Sequence, residues 1–296
     1  MITLCLVTLA GYVANRLGYF GEEFSKKLSR LVIDICCPSL ILSSVMGDSL
    51  PAKEHILPLL AVSIASYIIL TGLAILLPRF YVRNVSDRGI FGFMIIFGNV
   101  AFIGYPVCHA LFGSDAVFYA SILNFPNTLF VFTIGVALIS GKAYGKRFKW
   151  GVLWCPACLA AYASMLIVAL EITGIPSFVS RPLSLVGGIT VPASLLIIGA
   201  SMADMPVRQM LGSREVYVTA MLRMVIVPLL MYGIFTIVPA TPLVRNINMV
   251  VLGMPVASFG TMLCLRYDKD TTLMTETTFI TTVISLFTIP ILSLLF

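Results

Sequence analysis

The chain has 296 residues, yet only 19 are Lys or Arg and 13 are Asp or Glu, so 11% are charged against 59% hydrophobic, with a mean hydropathy of +1.03. Soluble proteins carry roughly 25% charged residues and must clothe their surface in polar groups, so the composition excludes a soluble globule, a disordered chain and a collagen. Seven cysteines, mostly inside apolar runs, exclude a disulfide-stapled secreted domain. The net charge of +6 would suit nucleic acid, but the basic residues sit in short loops where membrane topology accounts for them.

A window of about 19 residues finds ten apolar stretches, near 2–20, 31–47, 56–77, 90–112, 116–139, 151–170, 183–203, 216–238, 246–266 and 273–295. The first has no basic start and no small-residue cleavage site, and is expected to be a span rather than a signal peptide. Alternating strand patterns are absent and the runs are far longer than those of a membrane barrel. The fold class expected is an all-α polytopic membrane protein.

Span two carries Asp34 four residues before Pro38 and Ser39. Asp34 has a short side chain that cannot reach as far as that of Arg223, which makes it the better candidate of the two for a coupling or pairing role. Span four carries Gly98, Asn99, Gly104 and Pro106 within nine residues, and span five carries Asn124 and Asn127 flanking Pro126. The two asparagines would form a polar cavity wall or a helix–helix hydrogen bond. Lys142 to Lys149, the longest basic stretch, is read as a cytoplasmic anchor between two halves. Cys155-Pro156-Ala157-Cys158 superficially matches a redox dithiol, but it opens an apolar span with no strand before it, so redox chemistry is not expected.

Span seven carries Pro192 and Ser194, span eight carries Arg223, and span nine carries Gly253, Pro255, Ser258, Phe259 and Gly260. Arg223 either faces a cavity or partner, or snorkels to the headgroups on its long stem. His55 and His109 are not spaced with other ligands, so no metal is expected. No P-loop, Ser/His/Asp set or facing carboxylate pair is visible, and no enzyme is expected.

Alternate loops hold fifteen Lys/Arg and three. In loops this short, that split places the crowded set in the cytoplasm and both termini outside. Five spans per half force the second half to insert upside down, as in the inverted repeats of many secondary transporters. The expected organisation is a first repeat at 1–139, a basic linker at 140–150 and a second repeat at 151–296. Pro38 and Pro106 are 68 residues apart, and Pro192 and Pro255 are 63 apart. Proline removes a donor and clashes with an earlier carbonyl, and glycine tolerates the unwinding that follows. Spans four and nine are therefore expected to be broken, with half-helices meeting near the midplane.

These residues resemble the auxin efflux carrier family. The resemblance rests on Gly98-Asn99 with Gly104-Tyr105-Pro106 and Leu111-Phe112-Gly113, on Met254-Pro255-Val256-Ala257 with Arg266-Tyr267, and on Leu28-Ser29-Arg30 leading to Pro38-Ser39-Leu40. Asn124-Phe125-Pro126 and Arg223 with Pro228 extend it over the whole chain. The resemblance implies ten spans in two inverted five-helix repeats, with spans four and nine crossing beside the substrate. Spans one, two, six and seven would form a scaffold against which the others move, and homodimers would form. Family members move organic anions, auxin in plants and small carboxylates such as malate in bacteria. Phe259 departs from the pattern, since a polar residue, often Asn, is expected there.

The function expected is a secondary transporter for small organic anions by alternating access, with a non-transporting receptor or passive channel as the alternative. Its binding residues would be Gly98, Asn99, Gly104, Pro106, Pro255, Ser258, Phe259, Gly260 and Asn124, with Ser39 and Ser194 weaker. Asp34 and Arg223 are the coupling or ion-pair candidates. No cofactor is expected, coupling to H+ or Na+ is open, and membrane lipids and a second copy of the chain are the expected partners.

Overall fold

The computed structural model describes residues 2–47, 50–141, 154–204, 212–237, 241–267 and 269–295. The basic stretch from Lys142 to Lys149, and Arg208, lie outside the described residues. The first half of the chain forms α1 (Ile2–Arg16), α2 (Glu22–Leu31), α3 (Cys37–Ser43), α4 (Ile56–Leu76), α5 (Pro78–Tyr81), α6 (Arg88–Ile96), α7 (Tyr105–Phe112), α8 (Asp115–Phe130) and α9 (Val136–Ser140). The second half forms α10 (Pro156–Ala169), α11 (Ser177–Gly188), α12 (Thr190–Asp204), α13 (Arg214–Met221), α14 (Val227–Ile237), α15 (Pro242–Leu252), α16 (Phe259–Arg266) and α17 (Thr272–Leu292). No strand occurs among the described residues.

Among the described residues, four π turns, Val32–Cys36, Val100–Gly104, Val131–Gly135 and Leu222–Ile226, interrupt the α-helical geometry. Three of them end two residues before a proline, at Pro38, Pro106 and Pro228. The proline ring collides with the carbonyl four residues earlier, and that carbonyl belongs to Asp34, Phe102 or Met224, each inside the wider π turn. The turn therefore absorbs a clash that an α-helix would not.

Among the described residues, five helical stretches are long and apolar enough to cross a membrane: Lys53–Tyr81, Asp115–Ser140, Ser177–Ala200, Arg214–Ile237 and Thr272–Leu295. Shorter apolar helices are Val100–Phe112, Pro156–Ala169 and Pro242–Leu252. Their outer surfaces are apolar as well, with Leu57 77%, Phe178 77%, Leu185 69% and Phe287 67% exposed. Each such side chain left in water would forgo about 1.5–3 kcal/mol of burial. Lipid is the solvent that removes this cost, and the molecule is a multi-pass, all-helical membrane protein.

The chain divides into two compact units, each drawing on both sequence halves. The first comprises residues 1–57, 101–125 and 153–205, and so includes α1 to α3 and α10 to α12. Here α1 packs on α12 through glycines: a Cβ on Gly199 would run into the Thr8 carbonyl, and one on Gly11 into that of Leu196. Asn15 Nδ2 also donates to Ala200 O at 2.7 Å. Ser164 of α10 donates to the Ile41 carbonyl of α3 at 3.3 Å, and Gly187 brings α11 onto the backbone of Leu40.

The second unit comprises residues 58–100, 126–152 and 206–296. Its core surrounds α6, where Phe91 and Phe93 to Phe97 are all but inaccessible. Gly92 lets α6 approach the Ala74 carbonyl of α4, and Gly89 the Leu138 carbonyl of α9. Asn248 Nδ2 of α15 donates to Ser66 Oγ of α4 at 3.2 Å, which satisfies two polar groups buried among apolar ones.

Candidate functional site

Within the second unit the two helix interruptions meet. α6 ends where Phe97 turns extended, with φ −102° and ψ 115°, and α15 ends at Gly253. The segments that follow run antiparallel: Asn99 N–H donates to Pro255 O at 2.8 Å and Ala257 N–H to Phe97 O at 3.1 Å, flanking the bridge between Gly98 and Val256. Val256 N–H donates to Thr281 Oγ1 of α17 at 3.1 Å. Backbone that leaves a helix inside an apolar core must find partners, and here each broken segment largely supplies the other's.

Arg223 completes the arrangement from the π turn between α13 and α14. It is 1% exposed; Nε donates to Met254 O at 3.0 Å, while Nη1 donates to Ile95 O at 2.9 Å and Ile96 O at 2.8 Å. These are the last two carbonyls of α6 and one two residues beyond α15, where a helix dipole is negative and intrahelical donors run out. A planar guanidinium with donors on several edges reaches all three. Gly98 is needed for this, because a Cβ there would collide with Arg223 Nη2. Snorkelling to the headgroups does not occur, since the guanidinium turns into the protein.

Six of the residues expected at the site gather at this crossing: Gly98, Asn99, Pro255, Ser258, Phe259 and Gly260. Asn99 is half-buried and precedes the π turn at Val100; Ser258 is exposed and precedes α16. Each stands where a chain enters a helix, the place at which short polar side chains are favoured. The Phe259 ring lies edge-on to Phe132, with centroids 5.3 Å apart. Gly260 is buried, and a Cβ on it would meet Met274 Sδ at 2.5 Å and Phe93 Cε1 at 2.7 Å.

Gly104, Pro106 and Asn124 belong to the first unit. Gly104 closes the π turn, Pro106 lies in the first turn of α7, and Asn124 Nδ2 donates to Tyr105 Oη at 3.1 Å. Asp34, also in the first unit, sits exposed in its own π turn. Ser39 Oγ donates to Ile35 O at 2.8 Å, and Ser194 is fully buried. Among the described residues no group of three His, Cys, Asp or Glu is placed to hold a metal. Sequence reasoning missed Thr281 and the carbonyls of Ile95, Ile96 and Met254. For Thr281 a signal existed: Thr277, Thr281 and Ser285 recur every fourth residue on one face of an apolar helix, and all are buried.

Paired helix interruptions in an all-helical membrane protein recur among transporters. The comparisons agree: the membrane transport protein family matches residues 1–151 and again 143–293. The chain belongs to this family, the auxin efflux carrier type of membrane transport protein. It is similar to an uncharacterized transporter of Methanothermobacter thermautotrophicus, at 26% identity over 99% of this chain and 96% of the relative. It is also similar to an uncharacterized transporter of Methanocaldococcus jannaschii, at 25% identity over 98% of this chain and 96% of the relative.

Proposed function

We propose that the protein is a secondary transporter for small organic anions in the cell membrane, working by alternating access through ten spans in two inverted repeats, with both termini outside. The observation that carries the reading is Arg223. Its charge is spent on the carbonyl ends of the broken helices, so the negative poles of the crossing are neutralised. The helix start at α16, with Ser258 before it, keeps its positive pole. A crossing so arranged favours an anion beside Asn99 and Ser258, a carboxylate above all, because it can accept from amide and hydroxyl donors together. Phe259 gives this pocket an apolar wall, which favours acids with an apolar body. Coupling to H+ or Na+ and assembly as a homodimer belong to the same proposal.

The test is uptake into proteoliposomes of labelled mono- and dicarboxylates, with and without proton and sodium gradients. Asn99→Ala is expected to cut uptake at least tenfold with little change in thermal stability, and Phe259→Asn to shift preference from apolar acids toward smaller, more charged ones. Wild-type kinetics in Asn99→Ala together with an unchanged inhibitor order in Phe259→Asn would remove the crossing as the binding site. Gradient-independent, non-saturable flux would favour a channel instead.

A further inference from the structure

A second feature of the same unit lies apart from the crossing. Arg79, Arg83, Arg88 and Arg214 line one cavity of about 590 Å³ together with Glu215 and Phe80. The cavity is built where the Lys53–Tyr81 helix ends against the start of α13, and Tyr81 Oη and Thr219 Oγ1, 2.7 Å apart, hold the two together. Arg88 is half-buried and anchored through Nε to Val82 O at 3.2 Å, which fixes the base of its guanidinium, while Arg79, Arg83 and Arg214 are exposed.

Glu215 offsets only one of these four charges. Among the described residues no carboxylate forms an ion pair with any of the four arginines. The lining of the cavity thus carries four positive charges against one negative. All four arginines fall in the basic set of loops. Beside them Phe80, which lines the same cavity, is 79% exposed, an apolar surface that water disfavours and acyl chains or headgroup-level lipid would cover.

We propose that this cavity binds a phosphate-bearing anion of two or more negative charges, presented either by an anionic lipid headgroup or by a soluble phosphate ester. A carboxylate offers two oxygens, enough for one guanidinium fork. A phosphate group offers oxygens in several directions and can engage forks from more than one side. A dianion also comes closer to the surplus of three positive charges than a monocarboxylate does. The site requires neither the crossing nor an identity for the transported acid.

The experiment uses the full chain in non-ionic detergent. Retention of cardiolipin and of phosphatidylcholine is measured side by side, and inorganic pyrophosphate is the soluble probe in equilibrium dialysis. Wild-type protein is expected to prefer cardiolipin over phosphatidylcholine at low salt and to lose that preference as salt rises. Each arginine removed should weaken binding roughly fivefold, so Arg79→Gln, Arg83→Gln and Arg214→Gln together about a hundredfold. Replacing the same three by Lys keeps the charge and should fall between.

Cardiolipin retention without pyrophosphate binding assigns the headgroup as the source, and pyrophosphate binding without lipid preference assigns a soluble ester. Equal retention of both lipids with no pyrophosphate bound overturns the proposal. So does a folded triple variant that binds as wild type. If the triple variant does not fold, Arg83→Gln and Arg214→Gln are each expected to weaken binding about fivefold, and unchanged binding in both overturns the proposal.

Discussion

Arg223 heads the fully buried side chains by volume among the described residues, and its partners are 31, 127 and 128 residues away in sequence. Removing one side of a buried charge-assisted network leaves the other side unsatisfied, at a cost of roughly 3–5 kcal/mol. Arg223→Gln is therefore expected to lower the thermal unfolding midpoint in detergent by several degrees. Arg223→Lys should lie between, because an ammonium reaches fewer carbonyls than a fork. An unshifted midpoint in Arg223→Gln would mean that other groups satisfy Ile95, Ile96 and Met254. The sequence places Arg223 about two turns into span eight, but depth along a helix does not fix direction around it. The same limit applies to Asn99, whose residue type and glycine neighbour marked it, whereas its place opposite Pro255 is a long-range pairing that no local pattern encodes.

At the scale of elements, the interruptions in spans four and nine were readable because glycine and proline are the residues that a helix tolerates least. The π turns were not readable. One extra residue in a turn leaves no mark on hydropathy, and a regular distance from Pro38, Pro106 and Pro228 explains three of the four afterwards. They matter because Arg223 and Asp34 each sit inside one and Asn99 immediately before another, so the irregular turns set the direction of three in-span polar residues. Close helix packing was equally hidden in the glycine count. Gly199→Val should destabilise the protein by about 1–3 kcal/mol, since the added carbons meet the Thr8 carbonyl and Tyr12 nitrogen of α1 rather than a movable side chain. Gly72→Ala in α4, with open space around it, should be neutral or slightly stabilising. Thermal unfolding of the pair in one detergent separates backbone contact from a general intolerance of glycine replacement.

For the whole molecule, the imbalance of basic residues between alternate loops predicts orientation as well as membrane residence. Cysteines introduced at Arg83 and Arg214 should react only from the cytoplasmic side in intact cells, and those at Lys53 and Arg181 only from outside, when a membrane-impermeant maleimide is the probe. Labelling of both sets from one side would remove the inverted insertion of the halves and the alternating-access reading built on it. Hydropathy revealed membrane residence readily, because ten apolar runs leave no other solvent. It could not reveal the division into compact units, since each draws on both halves of the chain and helix partnership is decided by faces rather than by order.

The pairing of the interruptions is made by main-chain atoms of Phe97, Asn99, Pro255 and Ala257, anchored from the side by Arg223. A frame of this kind is indifferent to most of the side chains mounted on it, Gly98 excepted. Mutational drift at Asn99, Ser258 and Phe259 can therefore alter what the crossing presents without dismantling the crossing itself. On the proposed reading of the crossing as the binding site, a change of specificity in this chain would need few steps, each passing through a folded protein.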